Sequence, residues 1–305
     1  MTQVLFYYIL FQIGLPVNDS LLTGSGSPQS VPEESADQTS GSTEERDMNG
    51  SFEVRGITFG SGKPVICIPI VEKDAEGILE QARRLAKLQV SMVEWRADCF
   101  AQLAEMDAVE TVLRQLREIL KDTVLLFSIR TVHQGGHAAI DEKLIIRLNE
   151  MAASGGLVDF VDLEFFEASK PIREIARLKK KGVRVIASHH DFEKTPDDRI
   201  LHMLMDQMYN GGADIAKIAV YPKSREDVLR LMKFTEDTGR QYPELVVVTM
   251  AMGNLGVLSR ISGELTGSAI TFGTCGAESA PGQIPFEELT QILDILHSRM
   301  EEKQA

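Results

Sequence analysis

The fold of this chain is decided by DIAKIAVYPKSREDVLRLMKFTEDTGRQYPELVVVTMAM, residues 214–252. The stretch opens with a short apolar run, continues with an amphipathic run from Ser224 to Thr238, and closes with a second short apolar run. Short runs that are apolar almost throughout are typical of strands buried on both faces, and the longer run has the periodicity of a helix with one apolar side. The stretch therefore predicts a strand, a helix and a second strand of a parallel sheet.

The same alternation repeats from residue 65 to residue 274, with short runs that begin roughly 23 to 36 residues apart, as in repeated strand–helix units. Asp141 and Ser224 are predicted N-caps, and Pro285 with Glu287 and Glu288 is typical of the first turn of a last helix. Helices are predicted at 74–88, 140–153, 172–181 and 224–238. The predicted strands are VICIPI (65–70), MVEWRAD (92–98), VLLFSIR (124–130), FVDLEFF (160–166), VRVIASH (183–189), DIAKIAVY (214–221), LVVVTMAM (245–252) and AITFGT (269–274).

Eight strand–helix units in about 250 residues predict a closed (β/α)8 TIM barrel, an α/β fold with a single domain. We expect residues 48–305 to form this catalytic domain. The alternative is an open, doubly wound sheet, but no glycine-rich nucleotide-binding loop follows the first predicted strand.

The N-terminal segment has a different composition. Its apolar run VLFYYILFQIGLP (4–16) is shorter than the roughly 20 residues of a membrane span, and no basic region precedes it as in a signal peptide. The following GSGSPQSVPEESADQTSGSTEERD (24–47) is rich in Ser, Gly, Pro and acidic residues, a composition typical of disorder. We expect residues 1–47 to be a disordered or spurious extension, with Met48 as the working start; a membrane anchor is the alternative.

Charge and cysteine content exclude several classes of protein. The formal net charge of −13 argues against a nucleic-acid-binding surface, which needs a basic face. Cys67, Cys99 and Cys275 are far apart and show no CxxC spacing, so neither a metal site nor a disulfide framework is expected. Reduced, apolar cysteines are typical of a cytoplasmic protein.

Charged and polar residues interrupt the apolar strands near their carboxyl ends, where the active site of a barrel lies. Where one strand carries two of these residues, they are two positions apart, so both side chains face the same side of the sheet. A layer of structural salt bridges is the alternative to a functional polar centre. These residues are Glu94 and Arg96 on the second predicted strand, Arg130 on the third, Asp162 and Glu164 on the fourth, His190 on the fifth, and Lys217 on the sixth.

Lys217 stands alone inside the apolar run DIAKIAVY. Desolvation and nearby cations favour the neutral form of a buried amine, which can attack a ketone or aldehyde and form an iminium, or Schiff base. The alternatives are a lysine that extends its amine to solvent, or an ion-pair partner for Glu164.

His189 and His190 are neighbours, so their side chains point to opposite faces if the strand continues. Only one can face the pocket, which argues against a two-histidine metal site. We predict that His190 is a general acid and base near Lys217, and that His189 is a hydrogen-bonded structural residue.

The loops after the last two strands add further candidates. Arg260 follows two glycines and lies just inside a helix, a place that suits carboxylate or phosphate recognition. The loop ESAPGQIP (278–285), with Ser279 and Gln283, is a candidate lid over the pocket. Met250 and Met252 share one side of their strand and are predicted to form an apolar wall.

A series of motifs then gives a specific resemblance. In order and spacing, the chain resembles type I 3-dehydroquinate dehydratase from about residue 52 to residue 297. Residues 1–47 take no part in this likeness. The motifs are EWRAD (94–98), FSIR (127–130), LVDFVDLE (157–164), SHHDF (188–192), ADIAKIAV (213–220), GVLSR (256–260), GSAITFG (267–273) and SAPGQI (279–284).

The resemblance implies a lyase that converts 3-dehydroquinate into 3-dehydroshikimate, a step of aromatic amino acid biosynthesis. Lys217 would form the iminium with the C3 ketone, and His190 would move the C2 proton and protonate the departing C1 hydroxyl. Arg260 would pair with the substrate carboxylate. The ring hydroxyls and the closed lid would be held by Glu94, Arg96, Arg130, Ser279 and Gln283. The resemblance also implies a homodimer with no metal or nucleotide cofactor, and no membrane or nucleic-acid partner is expected.

The chain departs from the family pattern at two positions. Gln134 stands where many members carry a glutamate before a Gly-Gly pair, and a neutral amide can orient His190 but cannot raise its basicity as a carboxylate would. Pro69 stands where some members have a serine. Two other functions remain open: a class I Schiff-base aldolase, or a binding barrel without catalysis, which Gln134 alone favours.

Overall fold

The computed structural model describes residues 50–276 and 279–301 of the chain. Its main sheet holds eight parallel strands that lie side by side in chain order, β3 to β10, with a short ninth strand at one edge. The strands are β1 (Phe52–Val54), β2 (Ile57–Phe59), β3 (Val65–Ile70), β4 (Met92–Arg96), β5 (Val124–Ser128), β6 (Phe160–Glu164), β7 (Arg184–Asp191), β8 (Ile215–Val220), β9 (Val246–Ala251), β10 (Ile270–Thr274) and β11 (Ile284–Pro285). The helices are α1 (Ala75–Lys87), α2 (Met106–Leu120), α3 (Glu142–Ala152), α4 (Pro171–Lys179), α5 (Asp198–Asn210), α6 (Arg225–Gln241), α7 (Val257–Ile261), α8 (Gly263–Thr266) and α9 (Phe286–Glu301).

The sheet closes on itself. β10 pairs in parallel with β3, with Ile270 opposite Val65. On its other side, the backbone amide of Ala269 donates to the carbonyl of Val247 over 2.9 Å, which joins the start of β10 to β9. The predicted (β/α)8 barrel is therefore confirmed, and the open, doubly wound sheet is excluded.

Alternating strand residues form two separate cores, as the period of two in a strand requires. One set, including Met92, Leu126 and Ile186, fills the barrel interior. The other set, including Trp95 and Phe127, packs between the sheet and the outer helices. The near-continuous apolar character of the strands follows, because both of their faces are buried.

The amino end of the barrel is closed by a hairpin that the sequence analysis did not predict. β1 and β2 pair antiparallel around Arg55 and Gly56, both with positive φ (51° and 75°), as a tight hairpin turn requires. Phe59 is fully buried, and its ring centroid lies 5.2 Å from that of Phe160 inside the barrel. Aromatic rings therefore fill this end of the barrel interior.

The predicted N-caps are confirmed. Asp141 accepts a hydrogen bond from the amide of Leu144 over 2.8 Å, and Ser224 forms a capping box with Asp227 at the start of α6. The prediction for Pro285 was wrong by one position, because it ends β11 and α9 begins at the next residue. Helices α2 and α5 were not predicted from the sequence.

Several predicted strands end earlier in the structure. β4 ends at Arg96 and is followed directly by a short 3₁₀ turn, Ala97–Cys99. β5 ends at Ser128, and a second 3₁₀ turn, Val132–Gln134, begins a few residues later. The predictions for residues 1–47 lie outside the described residues. Within the described ranges, the helices are too short or too polar to cross a membrane.

Candidate active site

A cleft lined by charged, polar and apolar side chains opens at the carboxyl ends of the barrel strands; the empty space in it, together with its open mouth, is about 480 Å³. It brings together the predicted site residues except Asp162 and Glu164, which do not line it. The predicted residues that line it are Glu94, Arg96, Arg130, Gln134, His190, Lys217, Met250, Met252, Arg260, Ser279 and Gln283. Five further lining residues were not predicted from the sequence: Gly135, Phe192, Ala219, Phe272 and Ala280.

Lys217 projects from the middle of β8 into this cleft and is only 4% exposed. Its Nζ atom lies 3.6 Å from Oδ2 of Asp162 and 4.3 Å from the centroid of the Phe272 ring. The alternative of an ion pair with Glu164 is therefore wrong, since the neighbouring carboxylate belongs to Asp162. Phe272 occupies an inward position of β10, and the alternation of its strand was the signal that could have found it.

Asp162 is the centre of a buried network. Its Oδ2 atom lies 3.0 Å from the Arg130 guanidinium, and its Oδ1 atom accepts a hydrogen bond of 2.6 Å from the hydroxyl of Ser188. Burial by itself raises the pKa of Asp162, but the charges of Arg130 and then Lys217 outweigh burial and hold the pKa below its usual value. Asp162 is thus an anion beside the lysine.

Glu164 does not line the cleft but holds Arg130, which does. Its Oε1 atom accepts from the Arg130 guanidinium over 2.9 Å and from the Thr131 amide over 3.0 Å. Burial raises the pKa of Glu164, an effect that the charge of Arg130 only partly offsets. Glu164 therefore contacts the cleft through Arg130.

Asp98 fixes the guanidinium of Arg96 and had no assigned role in the sequence. Two hydrogen bonds of 2.8 Å join the two side chains. Asp98 also accepts from the backbone amides of Arg130 and His137, at 3.2 and 3.1 Å. Burial tends to raise its pKa, but the bond from Arg96 prevails and lowers it. The signal was the spacing of two within EWRAD, which leaves Asp98 beside the arginine.

His190 is oriented by Gln134. The amide oxygen Oε1 of Gln134 lies 3.0 Å from Nδ1 of His190 and accepts the backbone amide of the same residue over 2.9 Å. The amide nitrogen of Gln134 donates to Glu167 over 3.4 Å, which fixes the direction of the amide. Because Nδ1 faces an acceptor, it carries the proton, and Nε2 is left as the basic nitrogen.

Burial, and then the charges of Arg130 and Lys217, lower the pKa of His190 well below its usual value. The imidazole is therefore neutral at neutral pH and able to accept a proton.

His189 points to the other face of β7, as predicted. Its ring packs edge-on against Phe166, with centroids 5.5 Å apart. The expected hydrogen bond is wrong at Nδ1, which has no partner among the described residues. Burial also lowers the pKa of His189.

The loop from Ser279 to Pro285 folds back against Arg260. Arg260 is 1% exposed, and its guanidinium donates to the carbonyl of Pro281 over 3.1 Å. The Ser279 amide donates to Oε1 of Gln283 over 2.8 Å, and Nε2 of Gln283 donates to the Ser279 hydroxyl over 3.0 Å. The two predicted loop residues therefore hold each other beside the arginine.

Gly282 permits this close approach. Its φ is +82°, and a Cβ atom built there would lie 2.6 Å from the carbonyl oxygen of Gly253 after β9. Any larger residue would push the loop away from the end of that strand.

Two further observations bear on other chemistry. Cys67 lies in the barrel interior, where burial and then the charge of Glu94 raise the pKa of its thiol well above the usual value. Within residues 50–276 and 279–301, no group of three or more His, Cys, Asp and Glu residues is arranged to hold a metal ion.

Comparisons with known proteins agree with this arrangement. Residues 66–300 match the family described as Type I 3-dehydroquinase. A 3-dehydroquinate dehydratase of Clostridioides difficile is 39% identical over 251 residues, which are 82% of this chain and 98% of that protein. The corresponding protein of Listeria monocytogenes is 41% identical over 247 residues, 81% of this chain and 98% of its own length.

The crystal structure of type I 3-dehydroquinate dehydratase from Clostridium difficile, with covalently modified comenic acid, superimposes with a TM-score of 0.79. The match covers 83% of this chain and all of that one at 39% identity. Fold, cleft and sequence similarity lead to one conclusion: the chain belongs to the type I 3-dehydroquinase family.

Proposed function

We propose that the protein is a 3-dehydroquinate dehydratase, a hydro-lyase of aromatic amino acid biosynthesis that works through a Schiff base on Lys217. One observation carries the assignment of roles: a buried lysine, a neutral histidine and a buried arginine line the same cleft. These groups suit a nucleophile for a ketone, a base for the neighbouring proton and an anchor for a carboxylate.

The reaction begins when the Lys217 amine gives up a proton and adds to the C3 ketone. The hydroxyl of the resulting carbinolamine takes up one proton and leaves as water, which leaves a positively charged iminium. The charge acidifies C2, and Nε2 of His190 removes a proton there to give an enamine. The enamine electrons then expel the C1 hydroxyl, which takes the proton from His190 and leaves as water. Hydrolysis of the iminium returns the lysine and releases 3-dehydroshikimate.

Asp162 and Phe272 surround the atom on which charge develops. The carboxylate lies 3.6 Å from Nζ and the ring centroid 4.3 Å from it, so both would stabilise a cationic iminium nitrogen. Asp162 is itself held by Arg130 and Ser188 and need not move during the reaction. The network supports a role for Asp162 as a fixed counter-ion.

Substrate contacts would come from the remaining residues of the cleft. Arg260 would bind the substrate carboxylate, and Met250 and Met252 would supply the apolar wall. Family membership favours dehydration over aldol cleavage and over a barrel without catalysis. The residues proposed to hold the ring hydroxyls and the closed loop are Glu94, Arg96, Arg130, Ser279 and Gln283.

We also propose that residues 48–305 are the catalytic domain of a cytoplasmic homodimer. The match over residues 66–300 supports the domain, and the biosynthetic relatives support the compartment. The dimer rests on family resemblance. A chain that begins at Met48 tests the domain and the dimer. Its turnover should equal that of the full chain, and a loss of turnover refutes the domain boundary. Light scattering should give the mass of a dimer, and the mass of a monomer refutes the dimer.

The decisive experiment combines 3-dehydroquinate with borohydride and maps the adduct by peptide mass spectrometry. Reduction of the iminium should label Lys217 and stop formation of the conjugated enone, and Lys217→Ala should abolish label and turnover. Label on another lysine, or full turnover of Lys217→Ala, would falsify the mechanism. Adduct formation with carbon–carbon cleavage would instead indicate an aldolase.

A further inference from the structure

The loop that carries Gln134 between β5 and α3 has both of its ends held by one carboxylate. The loop runs from residue 131 to residue 138. Oδ1 of Asp98 accepts the backbone amide of Arg130 over 3.2 Å, just before the loop, and Oδ2 accepts that of His137 over 3.1 Å, near its end. Asp98 is 5% exposed and lies in the turn that follows β4, so it belongs to another segment of the chain. The carboxylate therefore closes the base of the loop.

Apolar packing does little to hold this loop in place. Val132 is 51% exposed, and Ala138 at the far end is a small buried side chain. Glu164 accepts the backbone amide of Thr131 over 3.0 Å, which fixes the first residue of the loop but not its end. Asp98 holds both ends, so the position of the loop depends on this carboxylate.

Gln134 reaches from the loop to His190. It is 2% exposed, and its Oε1 atom accepts the backbone amide of His190 over 2.9 Å and lies 3.0 Å from Nδ1 of the ring. The side chain is a neutral amide. A hydrogen bond weakens steeply when its distance or angle changes, whereas the attraction between two charges falls slowly with distance. Gln134 therefore orients the ring only while the loop holds the amide in place.

We propose that Asp98 is a positioning residue for His190 and acts through the loop and Gln134. By holding both ends of the loop, it keeps the amide oxygen in front of Nδ1. The proton of the neutral ring then stays on Nδ1, and Nε2 is free to accept a proton from the substrate. The effect on dehydration rests on the proposed function, but the effect on the ring tautomer does not.

Asp98 also holds Arg96 through two hydrogen bonds of 2.8 Å, so its removal has two effects that must be separated. A displaced Arg96 should weaken substrate binding and raise KM. An open loop should change the tautomer of His190 and lower kcat. Arg96→Lys keeps a cation beside Asp98 and leaves both bonds to the loop amides, so it tests the first effect alone.

Asp98→Asn is the test variant. An amide group offers one acceptor and one donor in place of two acceptors, so in either orientation one end of the loop loses its acceptor. ¹⁵N NMR of the substrate-free, histidine-labelled full chain shows which ring nitrogen carries the proton, with His190 assigned by its absence from His190→Ala. We expect the proton on Nδ1 in the wild type and a mixture of tautomers in Asp98→Asn. Its kcat should fall by about 10²-fold, the effect of a misplacement of about 1 Å in an active site. Arg96→Lys should raise KM and keep the wild-type tautomer.

Asp227→Asn is the matched control. Asp227 also accepts two backbone amides, those of Lys223 and Ser224, and pairs with an arginine, Arg230, but it does so at the start of α6. This variant should keep the wild-type tautomer and kcat.

Asp98→Glu keeps the charge, but its longer side chain cannot place both oxygens at the same two amides, so it should also change the tautomer. It decides the test if Asp98→Asn does not fold. The proposal is overturned by an unchanged tautomer in the folded Asp98 variant, by a kcat no lower than that of Arg96→Lys, or by the same tautomer change in Asp227→Asn. A wild type that does not dehydrate 3-dehydroquinate refutes the proposed function instead, and the tautomer still decides the role of Asp98.

Discussion

The substitution Gln134→Glu tests how the histidine is tuned. It places a carboxylate where an amide oxygen now lies 3.0 Å from Nδ1 of His190. An opposite charge this close favours the imidazolium and raises the pKa of a histidine by about 1–3 units, or about 1.4–4 kcal/mol. In the wild type that pKa lies well below its usual value. The acid limb of kcat/KM should therefore move to higher pH by the same amount.

A second carboxylate affects the size of this shift. Gln134 donates to Oε1 of Glu167 over 3.4 Å, so Gln134→Glu alone brings two carboxylates together and favours protonation of one of them. The pair Gln134→Glu with Glu167→Gln restores a donor at that position and should give the full shift. The single substitution should give a smaller one.

The assay follows enone formation against pH for the wild type and both variants, with the histidine Cε1–H resonance of His190 titrated by NMR. Gln241→Glu, at the exposed end of α6, changes the net charge as Gln134→Glu does and is the control for that single variant, whereas the double variant keeps the net charge of the wild type. A higher pKa of His190 leaves less neutral imidazole at a given acidic pH, so activity at that pH must fall. An acid limb and an NMR midpoint that do not move in the double variant would refute the assignment of His190 as the base.

Three further perturbations follow from the geometry. Gly282→Ala introduces a Cβ atom 2.6 Å from the Gly253 carbonyl oxygen, so we expect a higher KM in steady-state assays. Gly212→Ala, at a similar φ of +80° but with open space around it, is the control and should not change KM; equal KM values for the two variants contradict this account of the loop. His190→Ala should slow turnover by about 10²-fold or more, the usual effect of losing a general acid and base, yet still allow adduct formation on Lys217, and mass spectrometry without adduct would contradict the assignment. Phe59→Ala removes a fully buried ring and should lower the free energy of unfolding by about 3–5 kcal/mol in urea titration; a loss under about 1 kcal/mol would show that the hairpin does not stabilise the barrel.

The barrel could be predicted because its strands carry a local signal. VICIPI matches β3 residue for residue, and the other seven predictions overlap their strands. The ends of β5 and β6 could not be predicted, since the two strands separate there and side-chain hydrogen bonds take the place of backbone pairing. The hairpin of β1 and β2 was also missed, because strands of three residues are too short for a periodic pattern.

Some features of the site could likewise be predicted from the sequence, and others depend on the fold. Lys217 could be found from its isolation within an apolar run. Its pairing with Asp162 could not be found in this way, because the two residues lie on β8 and β6, with β7 between them, and their side chains meet across it. Gln134 is 56 residues from His190; the family pattern led us to expect its amide beside the histidine, but only the fold shows that its oxygen meets Nδ1.

The sequence by itself determined the barrel, the inward set of residues and the family, because strand burial and the period of two are properties of local segments. It also placed Lys217 and His190 at the carboxyl ends of their strands. Only the tertiary structure decided which carboxylate lies beside the lysine, which nitrogen of the histidine is basic, and how the loop after β10 meets Arg260. Those features depend on strand stagger and on side chains from distant segments, which meet only when the barrel closes.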